Sequence, residues 1–216
     1  MSATIDCRPN GPYLVKGEVP VRNAAGETIA AEAVFALCRC GGSANKPFCD
    51  GTHKKNGFSS ARIADGSDDK LDVYRGAAIT IRDNRSICAH AGYCTDGLPA
   101  VFRDGSEPWI DPDGAAAQAI IETVRKCPSG ALSYSVDGAQ PLAEARAPAI
   151  TVAKDGPYAI VGGVELLDAH WGKGASREHY TLCRCGASKN KPFCDGTHWD
   201  IGFDDAKGQN APPGRV

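Results

Sequence analysis

Two stretches of this chain are nearly the same sentence. Residues 38–53 read CRCGGSANKPFCDGTH and residues 183–198 read CRCGASKNKPFCDGTH, differing only at Gly42/Ala187 and Ala44/Lys189. Each copy sets out three thiols and one imidazole as C-x-C-x8-C-x3-H: Cys38, Cys40, Cys49 and His53, then Cys183, Cys185, Cys194 and His198. Soft and borderline ligands crowded this closely, with glycines between them, form a metal nest. A nest that occurs twice is not an accident of composition.

The duplication reaches beyond the ligands. Gly11-Pro12-Tyr13 returns as Gly156-Pro157-Tyr158, Gly17 as Gly162, Val19 as Val164, and Gly57-Phe58 as Gly202-Phe203, every pair 145 positions apart. A constant offset marks a repeated unit. The alternating apolar stretches 13–19 and 158–164, and the runs 33–37 and 179–182, read as short strands. The first two ligands then fall in a loop, and Asp50 or Asp195 reads as the N-cap of a short helical turn carrying the histidine. Between the copies, 71–75 and 79–82 are strand-like, 86–94 is a compact loop and 98–102 a short helical turn. Residues 113–126 have helical spacing with Asp113 as cap, Cys127-Pro128 stops that helix, and 132–136 resumes as strand. The Ala- and Pro-rich stretch 137–148 reads as a linker, and the tail after Phe203 as loose. The expected division is 8–62, 70–137, a linker 138–150, 151–206, and a tail 207–216.

Composition narrows the function. With 24 Lys and Arg against 26 Asp and Glu in 216 residues, and no basic block, nucleic acid is not an expected partner. The apolar runs are too short to span a bilayer. The opening MSATIDCRPNGPYLV lacks the basic start and apolar core of a secretory signal, so the cytoplasm is the expected location. Ten cysteines without an export signal point to metal ligation before disulfides.

Zinc is the plainer reading of three Cys and one His, but its usual spacing begins C-x2-4-C, and here the first pair is C-x-C. The wording C-x-C-x2-S-x3-P-x-C-D-G-T-H resembles the CDGSH iron–sulfur family. The matching residues are Ser43, Pro47, Cys49, Asp50, Gly51 and His53, and again Ser188, Pro192, Cys194, Asp195, Gly196 and His198, with Thr52 and Thr197 where the family name has Ser. The resemblance implies a [2Fe–2S] cluster in each copy. It also implies that 11–58 and 156–203 pack as an intramolecular pseudo-twofold pair, because members with one motif pair as homodimers through intertwined strands. Replacing a thiolate by a neutral imidazole makes the site less negative, as in Rieske centres, and gives it a ligand that a proton can remove. Proton-coupled reduction and loss of the cluster in mild acid are therefore expected. Lys46 and Lys191, before each third cysteine, are candidates to offset the charge of the reduced site; the alternative is a solvated lysine.

The middle segment carries Cys88, Cys94 and Cys127 as C-x5-C-x32-C-P. A Cys-Pro after a helix closes the binding loop of bacterial-type ferredoxins. The strings ICAHAGYC (87–94), PWIDPDGA (108–115) and CPSGAL (127–132) resemble divergent mono-cluster ferredoxin domains over residues 70–137. Ala91 stands where a second thiolate belongs, which implies a [3Fe–4S] cluster. If His90 supplies a fourth ligand, the cluster is [4Fe–4S]. Three buried cysteines without metal is the remaining alternative.

Cys7, His170 and His179 carry no ligand pattern, and Asp65, Asp68, Asp69 and Asp72 read as a solvated face or a docking face for a basic redox partner. The expectation is an α+β protein: two small β-rich units and a ferredoxin-like α/β insert, not an enzyme and not membrane-bound, a monomer with an internal pair. It would serve electron transfer with redox partner proteins. The alternative is a cluster donor to apo iron–sulfur acceptors, or a redox and pH sensor.

Overall fold

The structure, a computed structural model, describes residues 3–139 and 146–206. The first half opens with β1 (Thr4–Cys7) and β2 (Tyr13–Lys16), then β3 (Val21–Asn23), β4 (Thr28–Ile29) and β5 (Val34–Leu37), and a 3₁₀ turn at Thr52–Lys54. The insert holds β6 (Asp72–Arg75), β7 (Thr80–Asp83), a 3₁₀ turn at Arg85–Ile87, α1 (Tyr93–Gly97), α2 (Ala117–Val124) and β8 (Leu132–Ser135). The second half repeats the first with β9 (Ala149–Val152), β10 (Tyr158–Val161), β11 (Glu165–Leu167), β12 (Tyr180–Leu182) and α3 (Thr197–Asp200). Small sheets with few helices make the fold α+β, as expected.

The two halves exchange strands. β1 pairs antiparallel with β2 and parallel with β11, so that Ile5 faces Leu166. β9 pairs antiparallel with β10 and parallel with β3, so that Val21 faces Ile150. Each half thus lends its third strand to the other's sheet, giving the orders β11-β1-β2-β5 and β12-β10-β9-β3-β4. Parallel neighbours need a long connection, and the distance along the chain supplies it. One apolar core serves both sheets: Ile5, Tyr13, Val15 and Leu37 lie fully buried with Ile150, Tyr158, Ile160 and Leu182. The Tyr13 and Tyr158 rings meet edge to face at 6.1 Å. The insert has its own three-stranded sheet, β6-β7-β8, and its own core around Ile81, Phe102, Ile110 and Ile120.

Several local expectations are corrected. Helix α2 is shorter than 113–126, because the Asp113 carboxylate accepts from the Ala77 amide (2.8 Å) and 111–114 closes as a turn, Gly114 N donating to Asp111 O. A single helical turn does stand at 98–102, Leu98 O accepting from the Val101 and Phe102 amides, but a short helix, α1, precedes it and begins within the stretch read as a loop. The histidine turns are capped in position by Gly51 and Gly196, both left-handed (φ 87° and 85°), not by the aspartates before them. Those aspartates instead brace the loop: Asp50 accepts from Thr52 N and Ala44 N, Asp195 from Thr197 N and Lys189 N. Strand β1 had no counterpart among the expected strands, and β9 begins within the stretch read as linker. Residues 140–145 of that linker and residues 207–216 of the tail lie outside the described residues. Among the described residues no helix is long and apolar enough to cross a membrane.

Candidate metal centres

Each nest forms where a strand hands over to a loop. β5 ends at Leu37 and delivers Cys38; Ser43 then turns its hydroxyl onto Phe48 O (2.6 Å), folding the loop so that Cys49 returns beside the strand, its amide on Ala36 O. β12, Ser188 and Cys194 repeat the arrangement, with Ser188 on Phe193 O (2.7 Å) and the Cys194 amide on Thr181 O. The sulfurs of Cys38 and Cys40 come within 3.9 Å, and Cys49 Sγ faces His53 Nδ1 at 3.3 Å. The second nest has 3.8 Å between Cys183 and Cys185 and 3.4 Å between Cys194 and His198 Nδ1. Each close sulfur pair shares a proton. The hydrogen bond between the two sulfurs lowers one thiol of each pair and raises the other, Cys40 below Cys38 in the first nest and Cys183 below Cys185 in the second. One thiolate therefore forms readily at each nest, and burial raises Cys49 and Cys194 until a metal displaces their protons. Converging thiols, a ring nitrogen aimed at them and a ready thiolate fit a metal–sulfur group.

The two expected lysines bend back onto their own loops, Lys46 Nζ on Ser43 O (2.8 Å) and Lys191 Nζ on Ser188 O (2.6 Å). Lys191 is buried, not a solvated lysine, and burial lowers its affinity for a proton while the Cys183 and Cys185 sulfurs raise it.

In the insert, Cys88, Cys94 and Cys127 line one cavity of about 140 Å³ with Asp83, Arg85 and Trp109. That is room for a group much larger than a water molecule. Burial pushes Cys88 up to about 11 and also raises Cys94. His90 lines the same cavity, with φ 52° and its amide on Cys88 Sγ (3.4 Å). Its ring, however, lies against Gly196: a Cβ there would stand 2.8 Å from His90 Cδ2.

Residues beyond the predicted set hold the nests. The residue between the first two cysteines is a buried arginine in both copies. Arg184 donates to Gly156 O (2.7 Å), Ala153 O (2.6 Å) and Asp205 (2.7 Å), and Arg39 lies over the Tyr13 ring at 5.0 Å. Tyr13 crosses to the opposite half and donates to Cys183 O and Pro192 O, both at 2.9 Å. Tyr158 returns the contact to Cys38 O (2.8 Å) and Pro47 O (3.0 Å). The repeated Gly-Pro-Tyr was the visible signal of that role. Of the acidic group, Asp65 and Asp68 are exposed, as a solvated face requires, whereas Asp69 accepts from Asn84 Nδ2 (2.7 Å) and Lys173 N (2.8 Å) and Asp72 pairs with Lys70. Cys7 lies in β1, and burial raises its thiol to about 11, as an inert cysteine requires.

Two thiol–imidazole nests and a three-thiol cavity define an iron–sulfur protein. Residues 10–54 and 155–199 each match the family model described as iron-binding zinc finger CDGSH type, and residues 74–137 match the one described as divergent 4Fe–4S mono-cluster. The chain belongs to the CDGSH iron-binding family, with two such domains and a divergent 4Fe–4S mono-cluster domain between them. It is also similar to the proteins described as uncharacterized protein YjdI from Escherichia coli K12 and O157:H7, each 38% identical over 61 residues, 28% of this chain and 80% of the relative. No solved structure matches the chain.

Proposed function

We propose that this chain is an electron-transfer protein with three clusters: [2Fe–2S] held by Cys38, Cys40, Cys49 and His53, [2Fe–2S] held by Cys183, Cys185, Cys194 and His198, and a ferredoxin-type cluster held by Cys88, Cys94 and Cys127. The observation that carries it is how closely the three donor sets adjoin. A Cβ at Gly41 would fall 2.4 Å from Cys185 O and one at Gly186 2.6 Å from Cys40 O, so the nests touch backbone to backbone. His90 on Gly196 brings the insert's cavity loop against the second nest. When bound, iron–sulfur clusters supply one-electron exchange. The chain supplies position and charge: the crossed tyrosines fix one nest against the other, and the lysines hold cationic groups on the ligand loops. Reciprocal strand exchange supports reading the halves as an internal pseudo-twofold pair, with a monomer as the working form.

For the insert, three thiolates with His90 turned onto Gly196 favour [3Fe–4S]. The description of the matching family favours [4Fe–4S], the second reading. As to function, the half-exposed first nest favours the alternative of a cluster donor or sensor. Two measurements separate the readings. Reversible reductive titration with all iron retained supports electron transfer, whereas loss of the chain's absorbance as an apo-ferredoxin gains its own supports donation. Redox partner proteins, no catalytic role and a cytoplasmic setting complete the proposal.

A further inference from the structure

The two nests are copies in sequence but not in surroundings. In the second, all four ligands are buried, Cys183 at 0% and His198 at 4% exposure, whereas in the first only Cys38 is buried and Cys40, Cys49 and His53 are partly open. The insert accounts for the difference. Its cavity loop lays His90 on Gly196, Trp199 donates through Nε1 to His90 O (3.2 Å) with its ring 5.1 Å from that of His198, and Asn190 donates to Ser86 O (2.6 Å). Further bonds hold the second half to the insert and the segment before it, from Asn84 to Lys173 O and from the Ile63 and Ala64 amides to Lys189 O. At the first nest, Gly51 has the same left-handed backbone, and a Cβ there would meet nothing within 4 Å. The residues in register with Trp199 and Asp200 are Lys54 and Lys55, both exposed. The nearest acid in that motif, Asp50, is engaged by two loop amides.

We infer that the duplicated sites have divided their tasks: the second, roofed by the insert through His90 and Trp199, communicates inside the chain, and the first, open beside Lys54 and Lys55, is the face on which an acidic protein partner docks. The inference rests on the iron–sulfur reading of both nests. Its partner class follows from charge: two exposed ammonium groups beside an open site draw an anionic surface and repel a cationic one.

The test uses the intact, anaerobically purified chain, partly reduced, with EPR power saturation in the presence of a dianionic or a neutral gadolinium chelate. His53→Cys and His198→Cys assign the two [2Fe–2S] signals, since each shifts only its own. The signal assigned to His53 should relax several-fold more than the other, and more with the anionic chelate than with the neutral one. Lys54→Glu with Lys55→Glu should abolish that anionic preference while leaving the neutral chelate's effect unchanged. Gly196→Ala should displace His90 and expose the second site, and Trp199→Ala, which removes the bond to His90 O without altering that backbone, should raise the second signal's relaxation in the same direction. Equal relaxation of both signals, or greater relaxation of the second, overturns the division of tasks. An anionic preference that survives the double glutamate change overturns the acidic partner. A preparation without iron–sulfur signals overturns the underlying reading, and this inference with it.

Discussion

At the scale of single residues, the least replaceable groups outside the ligand sets are Tyr13 and Tyr158. Each buried hydroxyl reaches two carbonyls in the opposite nest, one of them on a ligand cysteine. Removing a buried donor strands its acceptors at a cost of about 1–3 kcal/mol. Tyr13→Phe and Tyr158→Phe should each lower thermal stability accordingly, and the loss should appear in calorimetry with the fold unchanged by circular dichroism. Unaltered melting in both variants would remove these bonds from the account. At the ligands, His53→Cys and His198→Cys each replace a neutral donor by a thiolate, adding one negative charge, so the reduction potential of the altered site should fall in a redox titration. A potential that rises or stays put would mean that the imidazole is not a ligand.

At the scale of elements, β7 contains a conflict. Its last residue, Asp83, faces Asp72 across the sheet, lies buried, and leaves Oδ2 without a hydrogen-bond partner among the described residues. Burial pushes its carboxyl up to about 7. Because the folded value lies above that of an unfolded aspartate, about 3.9, the protonated form favours the fold. Its contribution is complete in acid and is lost as pH rises through about 7. The melting temperature of the native chain should therefore fall between about pH 4 and about pH 7 by more than that of Asp83→Asn, and parallel curves would refute the assignment. The elements also show what was legible beforehand. The ligands were, because chemistry fixes their spacing over a few residues. So were β2 and β10, whose alternation reports one buried face. The exchange of β3 and β11 was not, because strands of three residues are decided by distant partners, Ile150 for Val21 and Ile5 for Leu166. Nor was the contrast between Gly51 and Gly196: an identical motif says nothing of the insert that leans on one copy.

At the scale of the whole molecule, the two halves complete each other's sheets, so strands that either half alone would leave unpaired find their partners within one chain. Sedimentation should give a monomer near 22.6 kDa at micromolar concentration. A tight dimer would instead place the exchanged strands between chains. The connected core also makes metal content a property of the whole chain, and chelation that strips the nests should unfold the shared sheets along with them. The most direct measurement is iron and sulfide analysis with EPR on anaerobically purified protein. It should return about seven irons and about eight sulfides per chain, or about eight irons if the insert holds [4Fe–4S], with distinct reduced [2Fe–2S] signals. A colourless preparation that holds zinc alone, and stays so after anaerobic incubation with ferrous salt and sulfide, would contradict it.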